Sequence, residues 1–264
     1  MKENKLRKIL REERISIATR IESTWPGIVE MVGSTECYDY VEFVAEYAPY
    51  TLEDLENICR AAELHNMGSM IKVDFQNRGY VAQRAMASGF QGILLADHKN
   101  PDEVKESVYM LKPDCPADGG RMGFPNSRWI GYQPHKSQKE YARMVRETVI
   151  ALMIEKKEAV ENIEEICSIP GIDMVQFGPS DYSLSCGWNK EDNIQKCRIA
   201  EQKVIETALA HNIQPRCEIH SPEEAKYYIT LGVRHFCIGD EMKNNQIYWE
   251  KNGEQLRRLV GESS

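Results

Sequence analysis

Two carboxylates of this 264-residue chain stand where they could share a metal ion. Glu155 closes the apolar run Thr148–Ile154 (TVIALMI), and Asp181 follows the run Ile172–Phe177 (IDMVQF) across Gly178-Pro179-Ser180. If the two runs are neighbouring strands, both side chains can face one point. Two carboxylates, with water and substrate oxygens completing the shell, suit octahedral Mg²⁺ or Mn²⁺. Without a metal, the same residues would simply cap the helices that follow, since acidic groups favour helix N-termini. The Gly178-Pro179-Ser180-Asp181 turn could offer successive backbone N–H groups to a substrate carboxylate. Its plain alternative is an ordinary strand-ending turn.

Other reactive side chains end apolar runs in the same way: Arg20–Glu22, Glu46–Tyr47, Lys72–Asp74, Asp97–His98, Glu218–His220 and Asp240–Glu241. Acidic groups dominate, and bunched carboxylates repel one another unless a cation or proton sits among them. His98 is a candidate for proton transfer and His220 a second one; the alternative for each is a solvated loop residue. Asp74, Arg216 and Asp240 could line a pocket or pair with each other. Arg121 and Arg128 could bind a distal substrate carboxylate, although surface charge is the commoner role. Trp129, Trp188 and Trp249 read as packing at loops or interfaces.

The elements that would position these groups alternate along the chain. Strand candidates are Ile15–Ile21, Tyr38–Ala45, Ser69–Val73, Gly92–Ala96, Thr148–Ile154, Ile172–Phe177, Ile213–Ile219 and Val233–Ile238. Helix-period segments follow them at Trp25–Gly33, Leu52–Asn66, Tyr80–Ser88, Pro101–Leu111, Ala159–Ser168, Asn193–Asn212, Pro222–Leu231 and Asn245–Val260. Thr51 suits an N-cap, with Glu53 and Asp54 in the first turn behind it. Between the fourth and fifth units, Lys112–Lys136 carries four Pro and four Gly and reads as a long excursion, a lid or interface element. A helix at Gln138–Arg146 follows it. Eight strands each followed by a helix predict a (β/α)8 barrel formed by residues 1–264 as one domain. The rival is a doubly wound open sheet, but no GxGxxG follows the first strand. In a barrel, catalytic groups sit at the C-terminal strand ends, where the residues above fall.

Bulk composition agrees with a folded, globular chain. Hydrophobic residues make up 42% and charged residues 28%, enough for a sizeable core. The net charge of −8, with Lys and Arg scattered among Asp and Glu, argues against a nucleic-acid partner. Met1–Arg14 is charged throughout and carries no signal-peptide pattern, and no apolar run is long enough to span a bilayer. The eight cysteines (37, 59, 115, 167, 186, 197, 217 and 237) form no CxxC pair and read as reduced thiols of a cytoplasmic protein.

The stretches ALMIEKKEAVENIEEICSIPGIDMVQFGPSDYSLSCG and ASGFQGILLADHKNPDEV resemble the HpcH/HpaI aldolase family, within the phosphoenolpyruvate/pyruvate-type barrels. The likeness runs in order from about Ile15 to Met242. It implies a class II aldolase in which a divalent ion, held by Glu155 and Asp181, chelates pyruvate. The enolate is stabilised by the ion as a Lewis acid, and N–H groups near Ser180 and Asp181 hold the substrate carboxylate. It also implies a homo-oligomer, a hexamer or trimer. Gly178, Ser180, Asp181, Lys72 and Glu218 are then the expected substrate-binding residues.

Four positions depart from the family's pattern. Tyr47 replaces the usual His after the second strand, and Lys72 replaces the Arg that contacts the keto oxygen. Asp97 stands where Pro is usual, and Glu218 where an apolar residue is usual. A phenol ionises near pH ~10 and does not substitute for an imidazole at neutrality. Lysine keeps the charge but loses the planar fork. Tyr47, Lys72 and His98 are therefore the expected catalytic residues, with His98 taking over proton transfer. The leading expectation is cleavage of a 2-oxo-4-hydroxy acid to pyruvate, or a related 2-oxo acid, and an aldehyde. Alternatives are another metal-enolate reaction (decarboxylation, thioester cleavage, 2-oxo acid hydrolysis), a Schiff base on Lys72, or a binding protein without turnover.

Overall fold

The computed structural model describes residues 3–125, 127–132 and 137–261. Pro134 and Lys136 of the long excursion fall outside them. The first half runs α1 (Lys5–Arg11), β1 (Ser16–Ile21), α2 (Pro26–Ser34), β2 (Tyr40–Val44), α3 (Leu52–Leu64), β3 (Gly68–Val73), α4 (Arg78–Ser88), β4 (Gly92–Leu95) and α5 (Pro101–Leu111). The second half runs α6 (Gln138–Val145), β5 (Val149–Ile154), α7 (Lys157–Glu161), α8 (Ile163–Cys167), β6 (Met174–Phe177), α9 (Pro179–Ser185), α10 (Ile194–Ala210), β7 (Gln214–Ile219), α11 (Ala225–Thr230), β8 (His235–Asp240) and α12 (Glu241–Leu259). The eight strands pair in parallel, each with its sequence neighbours, and β8 closes on β1. The chain is a (β/α)8 barrel.

Strand periodicity decides what faces inward. Alternate side chains point to opposite faces of a sheet. Ala18, Tyr40, Met70, Leu94, Ala151, Met153, Met174 and Cys237 fill the barrel, while Phe43, Ile71, Ile93, Leu95, Leu152 and Ile154 pack under the helices. Two residues beyond the inward apolar positions, the same face carries Arg20, Glu42, Lys72, Gln176 and Glu155. The barrel therefore changes from apolar to charged toward the C-terminal strand ends.

Two features lie outside the sequence pattern. The charged N-terminal stretch, to which the sequence pattern assigned no strand or helix, forms α1, whose Leu6 and Ile9 are buried three residues apart. Asn4 caps the helix, and Leu6 joins the inward cluster, plugging the lower end of the barrel. Gly68 and Gly92 make room for it, because a Cβ on either would run into the Leu6 side chain. Arg7 locks the plug by donating 2.7 Å to Asp173 Oδ2 and 2.9 Å to the Thr148 carbonyl. The second feature is a bulge where β8 meets β1: Ala18 pairs with Cys237, but Arg20 pairs with Asp240. The extra residue is Gly239 at φ 79°, a conformation glycine adopts without a Cβ penalty. The bulge turns Asp240 toward Arg20.

Candidate active site

A cavity of about 860 Å³ opens at the C-terminal ends of the strands. Arg20, Tyr47, Lys72, Glu155, Asp181 and Glu218 border it, with Gly178 and Ser180 beside them. At its β3–β5 side, Lys72 Nζ lies 2.6 Å from Glu46 Oε2 and 3.8 Å from Glu155 Oε2. Glu155 Oε1 accepts 3.0 Å from the backbone N–H of Asp97, a residue held at φ 66°. Lys156 Nζ lies 2.5 Å from Asp97 Oδ1. One carboxylate oxygen each from Glu46, Asp97 and Glu155 fall within 4.8 Å of one another.

The electrostatics follow from burial. Glu155 is 1% exposed. Burial pushes its carboxyl up to about 7, against the pull of Lys72 and the Asp97 N–H and with help from the Asp97 and Glu46 charges. Burial alone would lower the Lys72 ammonium, but Glu155 and Glu46 outweigh it and the net shift is upward. Lys72 is thus held as a cation, which opposes the Schiff-base alternative, because only the neutral amine attacks a carbonyl.

These residues fit a hard divalent cation. All the donors are carboxylate oxygens, the chemistry Mg²⁺ and Mn²⁺ prefer. Three carboxylates face only two ammonium groups, and the resulting excess of negative charge is relieved by a proton on Glu155 or by a metal. Asp181, bordering the same cavity, raises the Lys156 and Tyr47 pKa values by its charge. Its side chain accepts no hydrogen bond from the described residues, so its lone pairs remain open. Glu155 and Asp181 thus share a cavity, while the carboxylates gathered most tightly around Glu155 are Glu46 and Asp97. The sequence reading placed both of these at strand ends but assigned neither to the metal.

The Gly178–Asp181 segment differs from the turn read in the sequence. Gly178 is the N-cap and Pro179 the first residue of α9, a position that suits proline because the first N–H of a helix has no partner. The first intrahelical bond runs from Tyr182 N–H to Gly178 O, leaving the Ser180 and Asp181 N–H groups ahead of the ladder. A Cβ on Gly178 would come within 2.8 Å of Glu155 Cβ, so glycine there leaves room for the Glu155 side chain. The Ser180 hydroxyl accepts 3.3 Å from Lys190 Nζ.

Several other expected residues fall elsewhere. His98 is fully buried (0% exposed) and does not border the cavity. Ser107 Oγ donates to Glu103 O and accepts from Arg78 Nε, so its 2.7 Å contact with His98 Nε2 requires that nitrogen to carry the proton. The ring meets Phe75 edge-on. Burial and Arg78 depress the imidazole to about 4. These constraints assign His98 to packing between α4 and α5 rather than to proton transfer. Tyr47 is 72% exposed at the cavity mouth, and burial of its hydroxyl together with Glu46 pushes the phenol up to about 12. His220 borders the cavity in an exposed position.

Asp74 is turned away from the cavity, accepting from the Asn77 N–H. Arg128 binds both oxygens of Glu63 beside a separate cavity of about 360 Å³, and Arg121 pairs with Glu106; neither reaches the site. Arg216 is buried inside the barrel, 2.5 Å from Glu42 Oε2, and donates 2.7 Å to the Tyr40 hydroxyl. Trp129 meets Tyr141 and Trp188 meets Tyr182, both edge-on. Trp249 is exposed on α12.

The family model for HpcH/HpaI aldolase/citrate lyase matches residues 28–236. The chain belongs to this family. Aldolases and citrate lyases break carbon–carbon bonds, and the chain is an enzyme of that class. It is 25% identical over 209 residues to the 2-keto-3-deoxy-L-rhamnonate aldolase of Escherichia coli O17:K52:H18 (strain UMN026 / ExPEC), covering 78% of this chain and 74% of that relative. The HpcH/HpaI aldolase from Desulfitobacterium hafniense DCB-2 superposes with a TM-score of 0.88 at 22% identity, over 98% of this chain and 99% of the other. A citrate lyase β subunit from M. tuberculosis, complexed with oxaloacetate and magnesium, shares the fold at a TM-score of 0.56 and 11% identity, over 88% and 94% of the two chains.

Proposed function

We propose that this HpcH/HpaI family member is a divalent-metal-dependent lyase that cleaves a 2-oxo-4-hydroxy acid into pyruvate, or a related 2-oxo acid, and an aldehyde. The observation that carries the reading is Glu155: a buried carboxylate, raised to about 7, at the floor of the cavity that Asp181 borders with open lone pairs. Glu155 and Asp181 would hold Mg²⁺ or Mn²⁺, with Glu46 and Asp97 adding negative charge nearby. The ion would supply Lewis acidity toward the oxo acid's oxygens, lowering the cost of charge that develops on the enolate.

The chain's own residues do the rest. The Ser180 and Asp181 N–H groups, at the positive end of α9, receive the substrate carboxylate. The Lys72 ammonium adds a fixed positive charge beside Glu155 and holds the Glu46 carboxylate in place. Tyr47 keeps its proton up to about pH 12, so it serves as a hydrogen-bond donor to the substrate's 4-oxygen and not as a base.

The same reading includes a homo-oligomer. Helix α12 has no buried residue along its length, yet it carries Ile247, Tyr248, Trp249, Leu256 and Leu259, all more than half exposed. A soluble monomer seldom leaves such a surface uncovered. All eight cysteines are free, the state a reducing, cytoplasmic setting would keep them in; no described helix is long and apolar enough to cross a membrane.

The test is exchange of the pyruvate C3 protons in deuterated water, followed by NMR, a half-reaction that needs no knowledge of the aldehyde. Exchange should require Mn²⁺ or Mg²⁺, stop with EDTA, and fall by about 10² or more in Glu155→Gln, the scale of losing a principal source of transition-state stabilisation. Exchange that proceeds undiminished in EDTA would sink the proposal.

A further inference from the structure

We propose that the Arg20–Glu218 pair, with Asp240, sets the choice of aldehyde: this wall accepts a neutral, hydroxylated chain and rejects an aldehyde carrying a second carboxylate. The inference rests on the reading that the oxo acid sits at Glu155 and Asp181. Strand order then fixes where the rest of the substrate goes. In a closed eight-stranded barrel β1 lies opposite β5, and β7 lies opposite β3. A substrate anchored at Lys72 and Glu155 therefore extends across the cavity toward Arg20, Glu218 and Asp240, which border the same space.

The charge on that wall is already balanced in favour of the acids. Arg20 Nη1 donates 2.7 Å to Glu218 Oε1, while Arg20 Nε lies 3.8 Å from Asp240 Oδ2 and 4.0 Å from Glu42 Oε1. One guanidinium thus faces three carboxylates, of which Glu42 is taken up by Arg216. A second substrate carboxylate placed there would meet Glu218 and Asp240 without an uncommitted cation. Lys190, half-buried at the same cavity, lies on the α9 side and donates 3.3 Å to Ser180 Oγ. Lys243 and Arg198 border the cavity but are exposed to water, where their charge is screened.

A hydroxyl meets no such penalty. Arg20 Nη2 donates to no described group and Glu218 Oε2 accepts from none, so the pair offers a donor and an acceptor side by side. A hydroxyl is both acceptor and donor and can answer each. The β8 bulge at Gly239 is what brings Asp240 into register with Arg20, so the wall is built by the backbone as well as by side-chain choice.

The experiment is aldol addition by the Mn²⁺-loaded wild-type protein, in which pyruvate C3 loses a proton, bonds to the aldehyde carbon, and the aldehyde oxygen gains a proton. D-Glyceraldehyde and succinic semialdehyde are compared as acceptors, and pyruvate C3 exchange is measured in the same preparation. The kcat/KM should favour glyceraldehyde on the order of 100-fold, the scale of a like-charge juxtaposition. Glu218→Gln, which removes one of the repelling charges, should narrow that ratio about tenfold. The wild-type ratio stands without the variant should the latter fail to fold. Exchange accompanied by equal or better use of succinic semialdehyde overturns this inference alone. Absence of exchange overturns the reading of the site and this inference with it.

Discussion

Replacing Glu155 by Gln should make the protein more stable at pH 8 while abolishing its chemistry. Burial raises the Glu155 carboxyl from 4.5 to about 7. Between those values the folded chain holds a proton that the unfolded chain has released, so stability falls as pH rises through the window and levels off above it. At about 1.4 kcal/mol per pH unit, the full penalty above pH 8 is about 3 kcal/mol, and at pH 5 it is under about 1 kcal/mol. Glutamine keeps the shape and can still accept the Asp97 N–H, but it does not ionise. In metal-free buffer the variant should therefore gain about 2–3 kcal/mol on wild type between pH 5 and pH 8. Urea unfolding at several pH values, with EDTA, measures this as a difference between two curves, which removes the titration of every other group. Saturating Mn²⁺ should then restore stability to the wild type alone at pH 8, since a ligand that binds only the folded state adds RT ln(1 + [L]/Kd). Parallel pH curves for the two proteins, without metal, would show that Glu155 is not a strained carboxylate and would remove the main support for the site.

Three further outcomes follow from the same geometry. Lys72→Met leaves the buried Glu46 and Glu155 without their cation and should cost about 3–5 kcal/mol at pH 8 in urea unfolding, less at pH 6, where Glu155 takes up a proton. Arg216→Met strands Glu42 inside the barrel at a similar cost of about 3–5 kcal/mol, and the double change with Glu42→Leu should recover most of it in a double-mutant cycle. His98→Gln should keep the lyase rate within about twofold of wild type and lose about 1–3 kcal/mol of stability, the range for disturbing a buried hydrogen bond; a large loss of rate in a folded variant would return His98 to the chemistry.

Much of the site was legible because it follows from a two-residue period. Once Met70, Met153 and Met174 are taken as inward, Lys72, Glu155 and Gln176 face inward as well. The pairing of Arg216 with Glu42 was hidden, since each looks like an ordinary charged residue inside an apolar strand and only the closed barrel brings them to 2.5 Å. The role of Asp97 was missed for a different reason. Its left-handed backbone at φ 66° breaks the alternation and brings its N–H to Glu155, and nothing in an Asp–His pair announces that turn. His98 looked reactive because it follows a strand, but that same turn carries it into the helix layer. The α1 plug escaped notice because two buried side chains in seven residues give too weak an apolar pattern to stand out against the charge around them.

The sequence by itself determined the alternation of strands and helices, hence the barrel and the rim on which acidic groups collect, because side-chain period and helix caps act over a few residues. Tertiary structure decided which of those acids meet, which cations neutralise them and which histidine is withdrawn. Those outcomes depend on register, on the bulge at Gly239 and on burial, and an electrostatic contact of a few ångströms exists only after distant strands have closed into one wall.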